Sequence, residues 1–279
     1  MHVQEEDHNR QRKVAVINDF SSFGRCSIAV TLPILAAMKL QCCPVPTAMF
    51  TNHTGFPSYS WTDCTDHMDD YIKQWKRLGL RFDAIATGFL GSRRQIDFVF
   101  RFLDAFRTPD TLVIVDPVMG DYGKLYATYD STLANSMRSF LDVADVLTPN
   151  LTEACVLADR PYDPGMTDAE LEDLCGKLSI HAKNVVVSGI ARGDCFVNYI
   201  HEKGLPPEQF PVKRIGVDRS GTGDVFASVL LGALVNGATF ADSVRRAANF
   251  VSKAVARSEE LAIPSHDGLA FEDVLSELI

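Results

Sequence analysis

The residues best able to do chemistry lie in short polar clusters, each following an apolar run. Asp218-Arg219-Ser220-Gly221-Thr222-Gly223-Asp224 opens a mostly apolar helix expected from Val225 to Leu234. Gly221 and Gly223 let the chain turn tightly, so the unpaired N–H groups of the first helical turn can face an anion. Asp224 is then either a plain helix cap or a general base beside a bound phosphoryl group. The run is neither a Walker A loop nor a dinucleotide fingerprint.

Three further clusters follow strand-like runs. Asp116 ends LVIV and is followed by Pro117, Gly120 and Asp121, two carboxylates that can address a hydrated Mg2+ or serve as turn and loop residues. Thr148-Pro149-Asn150-Leu151-Thr152-Glu153 follows another strand, and Asn150 with Glu153 has capping-box spacing. Asp19 is read as ending the first strand, before a small polar loop containing Ser21, Ser22, Gly24 and Arg25. Such sets at several strand ends converge on the edge where open α/β sheets hold ligands. Phe50-Thr51-Asn52-His53-Thr54-Gly55 adds an aromatic, hydroxyls and an imidazole, with no Cys or second His at zinc spacing from His53.

The elements that must position these groups alternate. Strands are expected at 14–18, 83–87, 111–116, 143–148 and 184–188, and helices at 26–38, 95–106, 128–141, 151–158, 167–181, 225–234 and 240–258. Continuous apolar strands between helices predict a mostly parallel sheet covered on both faces. Two stretches break the rhythm. The proline-containing run from Cys42 to Ser60 is read as a strand leaving the sheet and a covering loop, and Asp194 to Asp218 as an antiparallel edge. The chain has 279 residues, which are read as a flexible tail at 1–12 and one domain at 13–279.

Hydrophobic residues make up 46% and the formal charge is −9, which argues against a nucleic-acid partner. Seven cysteines without CxxC spacing, a polar start and no long apolar run point to a soluble cytoplasmic protein without membrane contact.

Taken in order, NDFSSFGRCS, FTNHTG, TGFLGS, DPVMGD, TPNLTEA and SGTGD resemble the pyridoxal/pyridoxamine kinases, the vitamin B6 branch of the ribokinase-like superfamily. The resemblance covers Val14 to Leu261. It implies a three-layer α/β fold with a mostly parallel central sheet flanked by helices and an antiparallel edge. It implies ATP-dependent phosphorylation of the 5'-hydroxymethyl group of a B6 vitamer, with ATP, Mg2+ and a monovalent cation as cofactors, in a homodimer. By resemblance Asp224 is the base, and Gly221, Thr222 and Gly223 form the anion hole. Asp116 and Glu153 serve the metal. Asp121, Tyr126, Thr148, Asn150, Ser188 and Val217 face the nucleotide, while Asp19, Cys26, Phe50, Thr54 and Phe89 face the acceptor. Asp19 departs from the serine usual in that branch and is similar to the hydroxymethylpyrimidine kinases of thiamine synthesis, the alternative function. A catalytically silent ligand-binding relative is a third.

Overall fold

The computed structural model describes residues 7–279. In chain order it contains β1 (Lys13–Ser21), α1 (Ser27–Ala37), β2 (Gln41–Phe50), β3 (Trp61–Asp63), α2 (Thr65–Arg77), β4 (Ala84–Thr87), α3 (Arg93–Phe106) and β5 (Leu112–Val115). A hairpin of β6 (Gly120–Asp121) and β7 (Lys124–Leu125) follows, then α4 (Ser131–Ser136), β8 (Val146–Leu147), α5 (Leu151–Leu157) and α6 (Asp168–Leu178). β9 (Asn184–Arg192), β10 (Cys195–Glu202), β11 (Glu208–Lys213), α7 (Thr222–Val235) and α8 (Phe240–Glu260) complete the main elements.

Nine strands form one sheet in the order β11-β10-β9-β8-β5-β4-β1-β2-β3. The run from β9 to β2 is parallel, and antiparallel pairs close it at both ends. Period-2 alternation splits the apolar strands between two cores. Ile17, Ile85, Val113 and Val115 face one cluster, which also holds Phe98, Phe102 and Leu171, from α3 and α6. Val16, Ala86 and Ile114 face the other, with Ile34, Val229 and Val244 from α1, α7 and α8. This is the three-layer ribokinase-like α/β fold. α7 is apolar on most sides because it is buried among α1, α8 and the sheet.

Two local expectations are corrected, and one helix is added. The strand after α1 stays in the main sheet, paired in parallel with β1 from Gln41 onward. Pro44 and Pro46 are tolerated because Gln41 donates to the β1 side through its N–H, so residues an odd number of positions away point their N–H groups from β1. Second, β1 runs on to Ser21, with a register shift between Asn18 and Phe20, so Asp19 sits in a bulge rather than at a strand end. The added helix, α2, lies in a segment for which the sequence suggested no element; it is amphipathic and follows the covering loop, resting Met68, Tyr71, Ile72 and Trp75 on the core.

Of the stretch expected as a tail, residues 1–6 lie outside the described residues. Asn9 bonds to Gly79 and Arg81, and Arg12 donates to the Val235 carbonyl. Among the described residues no helix is long and apolar enough to cross a membrane.

Candidate active site

The carboxyl ends of β1, β4, β5 and β8 meet the start of α7, and the acidic residues collect there. Asn18 organises the first of these ends. Its Oδ1 accepts from the N–H groups of Asp19 and Phe89, at 2.9 and 2.7 Å, which ties the β1 bulge to the loop after β4. A side chain at Gly88 would fall 2.4 Å from Asn18, so glycine is needed for that approach. Asp19 is 6% exposed. Its carboxylate accepts from Ser21 Oγ at 2.9 Å and Ser27 Oγ at 2.6 Å, while burial pushes its pKa above the usual carboxylate range.

Gly221 adopts φ 76°, and a Cβ there would lie 2.0 Å from the Arg25 carbonyl oxygen. Glycine is therefore dictated by close packing of the α7 entry against the loop before α1. At Gly223, by contrast, a Cβ would meet nothing within 4 Å, so the exposed backbone there borders open space on that side. Thr222 Oγ1 donates to the Arg219 carbonyl at 2.7 Å, closing the turn. Asp224, in the first turn of α7, is half-buried. Burial and the neighbouring Asp19 push its pKa up to about 7, opposed by the Ser27 N–H and the Asn18 amide turned toward it.

Asp116 follows β5 and accepts from Thr148 Oγ1 at 3.1 Å; burial and then Asp224 push it up to about 7. Glu153 closes a capping box on α5: Oε2 accepts from the Asn150 N–H at 2.9 Å and Oε1 from the Met119 N–H at 3.1 Å. Its pKa is raised by burial and by Asp116. Asn150 also donates to the Gly120 carbonyl, fastening the β6–β7 hairpin, and pairs with Ser188 across a single parallel bridge. Tyr126 follows that hairpin; burial and the fields of Glu153, Asp121, Asp224 and Asp116 raise its pKa. A small cavity of about 30 Å³ lies behind the carboxylates, lined in part by Asn18, Asp116, Asp224 and Ser228.

These groups repel one another, and the sign of the consequence is fixed. Asp116 and Asp224 ordinarily titrate near 3.8 but near 7 in the fold, so between those values the folded chain holds more protons than the unfolded one. Stability of the ligand-free protein should therefore fall as pH rises from about 4 to 7. Calorimetric midpoints are expected to be a few degrees higher at pH 5.5 than at 7.5, with a smaller difference in Asp116→Asn. A higher midpoint at pH 7.5 in the wild type would contradict this.

The side expected to face the acceptor is aromatic. Phe50 is buried, lies parallel to Trp61 at 5.5 Å and meets Phe89 edge-on at 5.9 Å. Cys26 lies near both Asp19 and Asp224, and burial together with their negative charge raises its thiol pKa. Thr54 is exposed in the loop that His53 fastens to the His266 carbonyl at 2.7 Å. Val217 is 58% exposed, beside Asp218, which accepts from the Tyr122 hydroxyl. Asp19, Cys26, Asp116, Thr148, Asn150, Glu153 and Asp224 are thus brought to one sheet edge, with Asp121 and Tyr126 on the hairpin beside it. Thr54 and Val217 stand on exposed loops. Sequence reasoning missed Asn18 and Ser27 as site residues, although both lie inside NDFSSFGRCS.

Among the described residues no group of three or more His, Cys, Asp or Glu side chains could hold a metal ion. Asp116, with a single hydrogen bond from Thr148 to its Oδ1, keeps free lone pairs for Mg2+, which takes one or two carboxylates and completes its shell with water and phosphate oxygens, whereas both Glu153 oxygens accept from backbone N–H groups and suit a contact through water.

A family model, phosphomethylpyrimidine kinase, matches residues 34–268. A crystal structure from Bacteroides thetaiotaomicron assigned as a phosphomethylpyrimidine kinase superposes with a TM-score of 0.94 at 37% identity, over 98% of this chain and 95% of that one. Its orthorhombic form with pyridoxal gives 0.91 at 36% identity, covering 96% of each chain. Among curated relatives, a Bordetella avium pyridoxine/pyridoxal/pyridoxamine kinase is 30% identical over 88% of this chain and 86% of its own. An Arabidopsis thaliana pyridoxal kinase is 31% identical over 68% of this chain, a match spanning 63% of that protein. These likenesses support an ATP-dependent phosphotransferase on a ribokinase-like fold. They also correct the resemblance to the B6 kinases as the family of this chain, and with it the B6 vitamer as acceptor, because the family model and the two Bacteroides structures carry the pyrimidine kinase assignment. A motif such as SGTGD, a glycine-rich helix entry, answers to phosphoryl transfer rather than to the acceptor ring. This chain belongs to the phosphomethylpyrimidine kinase family.

Proposed function

We propose that this protein transfers a phosphoryl group from ATP to the hydroxymethyl arm of an aminopyrimidine. The observation that carries the reading is Asp19, a buried carboxyl at the acceptor side whose pKa is raised by burial. Toward its neutral form one oxygen donates and the other accepts, the complement of a ring nitrogen beside an amino group. Phe50 and Phe89 offer apolar ring faces for the heterocycle, with Cys26 and Thr54 at its border.

Asp224 orients the attacking hydroxyl and takes its proton. An alcohol must lose that proton while a phosphate need not, so a carboxylate base favours the hydroxymethyl over the phosphomethyl arm. The amides of Gly221, Thr222 and Gly223 face the transferring phosphoryl group. Asp116 and Glu153 would hold Mg2+, which supplies charge neutralisation of the phosphates when bound. Asp121, Tyr126, Thr148, Asn150, Ser188 and Val217 border the nucleotide.

The test is a panel with ATP and Mg2+, read by product mass: hydroxymethyl aminopyrimidine, its phosphomethyl form, and hydroxymethylpyridines with and without an amino group. Preference of at least 10-fold in kcat/KM for the hydroxymethyl aminopyrimidine is expected, the size of one buried hydrogen-bonding group left without its partner. Turnover confined to the pyridines would overturn the reading.

A further inference from the structure

Ser27 opens α1 in a left-handed backbone, φ 55°, which L side chains rarely adopt, and Arg25 two residues earlier has φ 43°. The residue is 6% exposed. Three groups of this one residue are engaged. Its hydroxyl donates to Asp19 Oδ1 at 2.6 Å, its N–H faces the Asp224 carboxylate, and its carbonyl accepts from Thr31 Oγ1 at 3.0 Å. Thr31 Oγ1 lies 2.9 Å from Ser228 Oγ. With the Thr31 proton committed to the Ser27 carbonyl, the Ser228 hydroxyl donates to Thr31, so the anchoring of Ser27 runs from α1 into the same helix that carries Asp224. Gly221 packs against the Arg25 carbonyl on the other side.

We infer that Ser27 is a positioning residue that ties the acceptor-reading carboxyl, Asp19, to the base, Asp224, and that its hydroxyl acts on acceptor binding while its backbone N–H serves the base. The strained backbone is what permits the division: a residue in ordinary helical conformation at this place would turn its N–H along the helix. The inference rests on the roles given to Asp19 and Asp224 above.

Ser27→Gly separates the two tasks, because glycine keeps the left-handed backbone and the N–H but has no hydroxyl. The acceptor KM is expected to rise roughly 10-fold, with kcat within about threefold and the KM for ATP within about twofold. In an Asp19→Asn background the same change should have little further effect on acceptor KM, since the two residues act through one bond. Ser27→Ala, which keeps a Cβ in the left-handed region, should raise acceptor KM as much and also melt below Ser27→Gly. An unchanged acceptor KM in Ser27→Gly, or additive effects in the two backgrounds, would overturn the assignment. The measurement uses whichever hydroxymethyl acceptor the wild type turns over, so a wrong aminopyrimidine reading shows in the wild-type panel and a wrong role for Ser27 only in the cycle.

Discussion

Asp224→Asn is expected to lower kcat by roughly 10² or more while leaving the Kd for ATP within a few-fold. Asparagine keeps the size and the first-turn position of the side chain but has no basic oxygen, so the acceptor hydroxyl remains near the phosphoryl group and keeps its proton. Removing a negative charge from beside Asp19 and Asp116 should also make the protein more stable, since burial holds all three carboxyls above their usual range and like charge adds to it at Asp116 and Asp224. A slower enzyme with a higher melting temperature is thus the expected pair of results. Single-turnover kinetics read the first and calorimetry the second. A variant that keeps more than a tenth of wild-type kcat, with chemistry rate-limiting, would reduce Asp224 to a helix cap.

The two glycines of the α7 entry should behave as opposites. Gly221→Ala places a methyl group 2.0 Å from the Arg25 carbonyl oxygen on a residue with φ 76°, so the loop before α1 must move. A loss of about 2 kcal/mol or more in stability is expected from the backbone alone, and with it most activity, because that loop leads into Ser27. Gly223→Ala meets nothing within 4 Å and should melt within a degree or two of wild type. Its methyl group would instead stand where the phosphates approach, so the KM for ATP should rise roughly 10-fold or more. Equal stability losses in the two variants would remove the distinction between a glycine required by packing and one required by ligand.

The strands and the late helices were legible because a buried parallel sheet writes continuous apolar runs, as in VAVI and LVIV, and because Asn150 with Glu153 spells a cap in four letters. The polar clusters at strand ends were legible for the same reason, since topology brings such ends to one edge. α2 was hidden because only Met68 is buried on it and its neighbours, Tyr71, Ile72 and Trp75, are spread among six charged residues. The bulge at Asp19 leaves no compositional trace: one residue too many in a strand shows only against its partner. Ser27 was invisible for a related reason, as a serine reads as an ordinary helix start and its left-handed backbone follows from the packing around it. The acceptor was misread because the six motifs were taken as one ordered set, and the half of them expected to handle phosphate and metal says nothing of the ring.

The two prolines of β2 bear on how the protein behaves in a crowded solution. β3 pairs only with Ala48–Phe50, so the first half of β2 is an open rim on that side. A rim of free N–H groups is a template on which a second molecule can add a strand and seed an aggregate. At Pro44 and Pro46 the donors are missing, and the far rim of the sheet, β11, carries Pro211 and Lys213. Replacing both β2 prolines by valine would leave the pairing with β1 intact and yet give a chain that precipitates at concentrations where the parent stays dispersed.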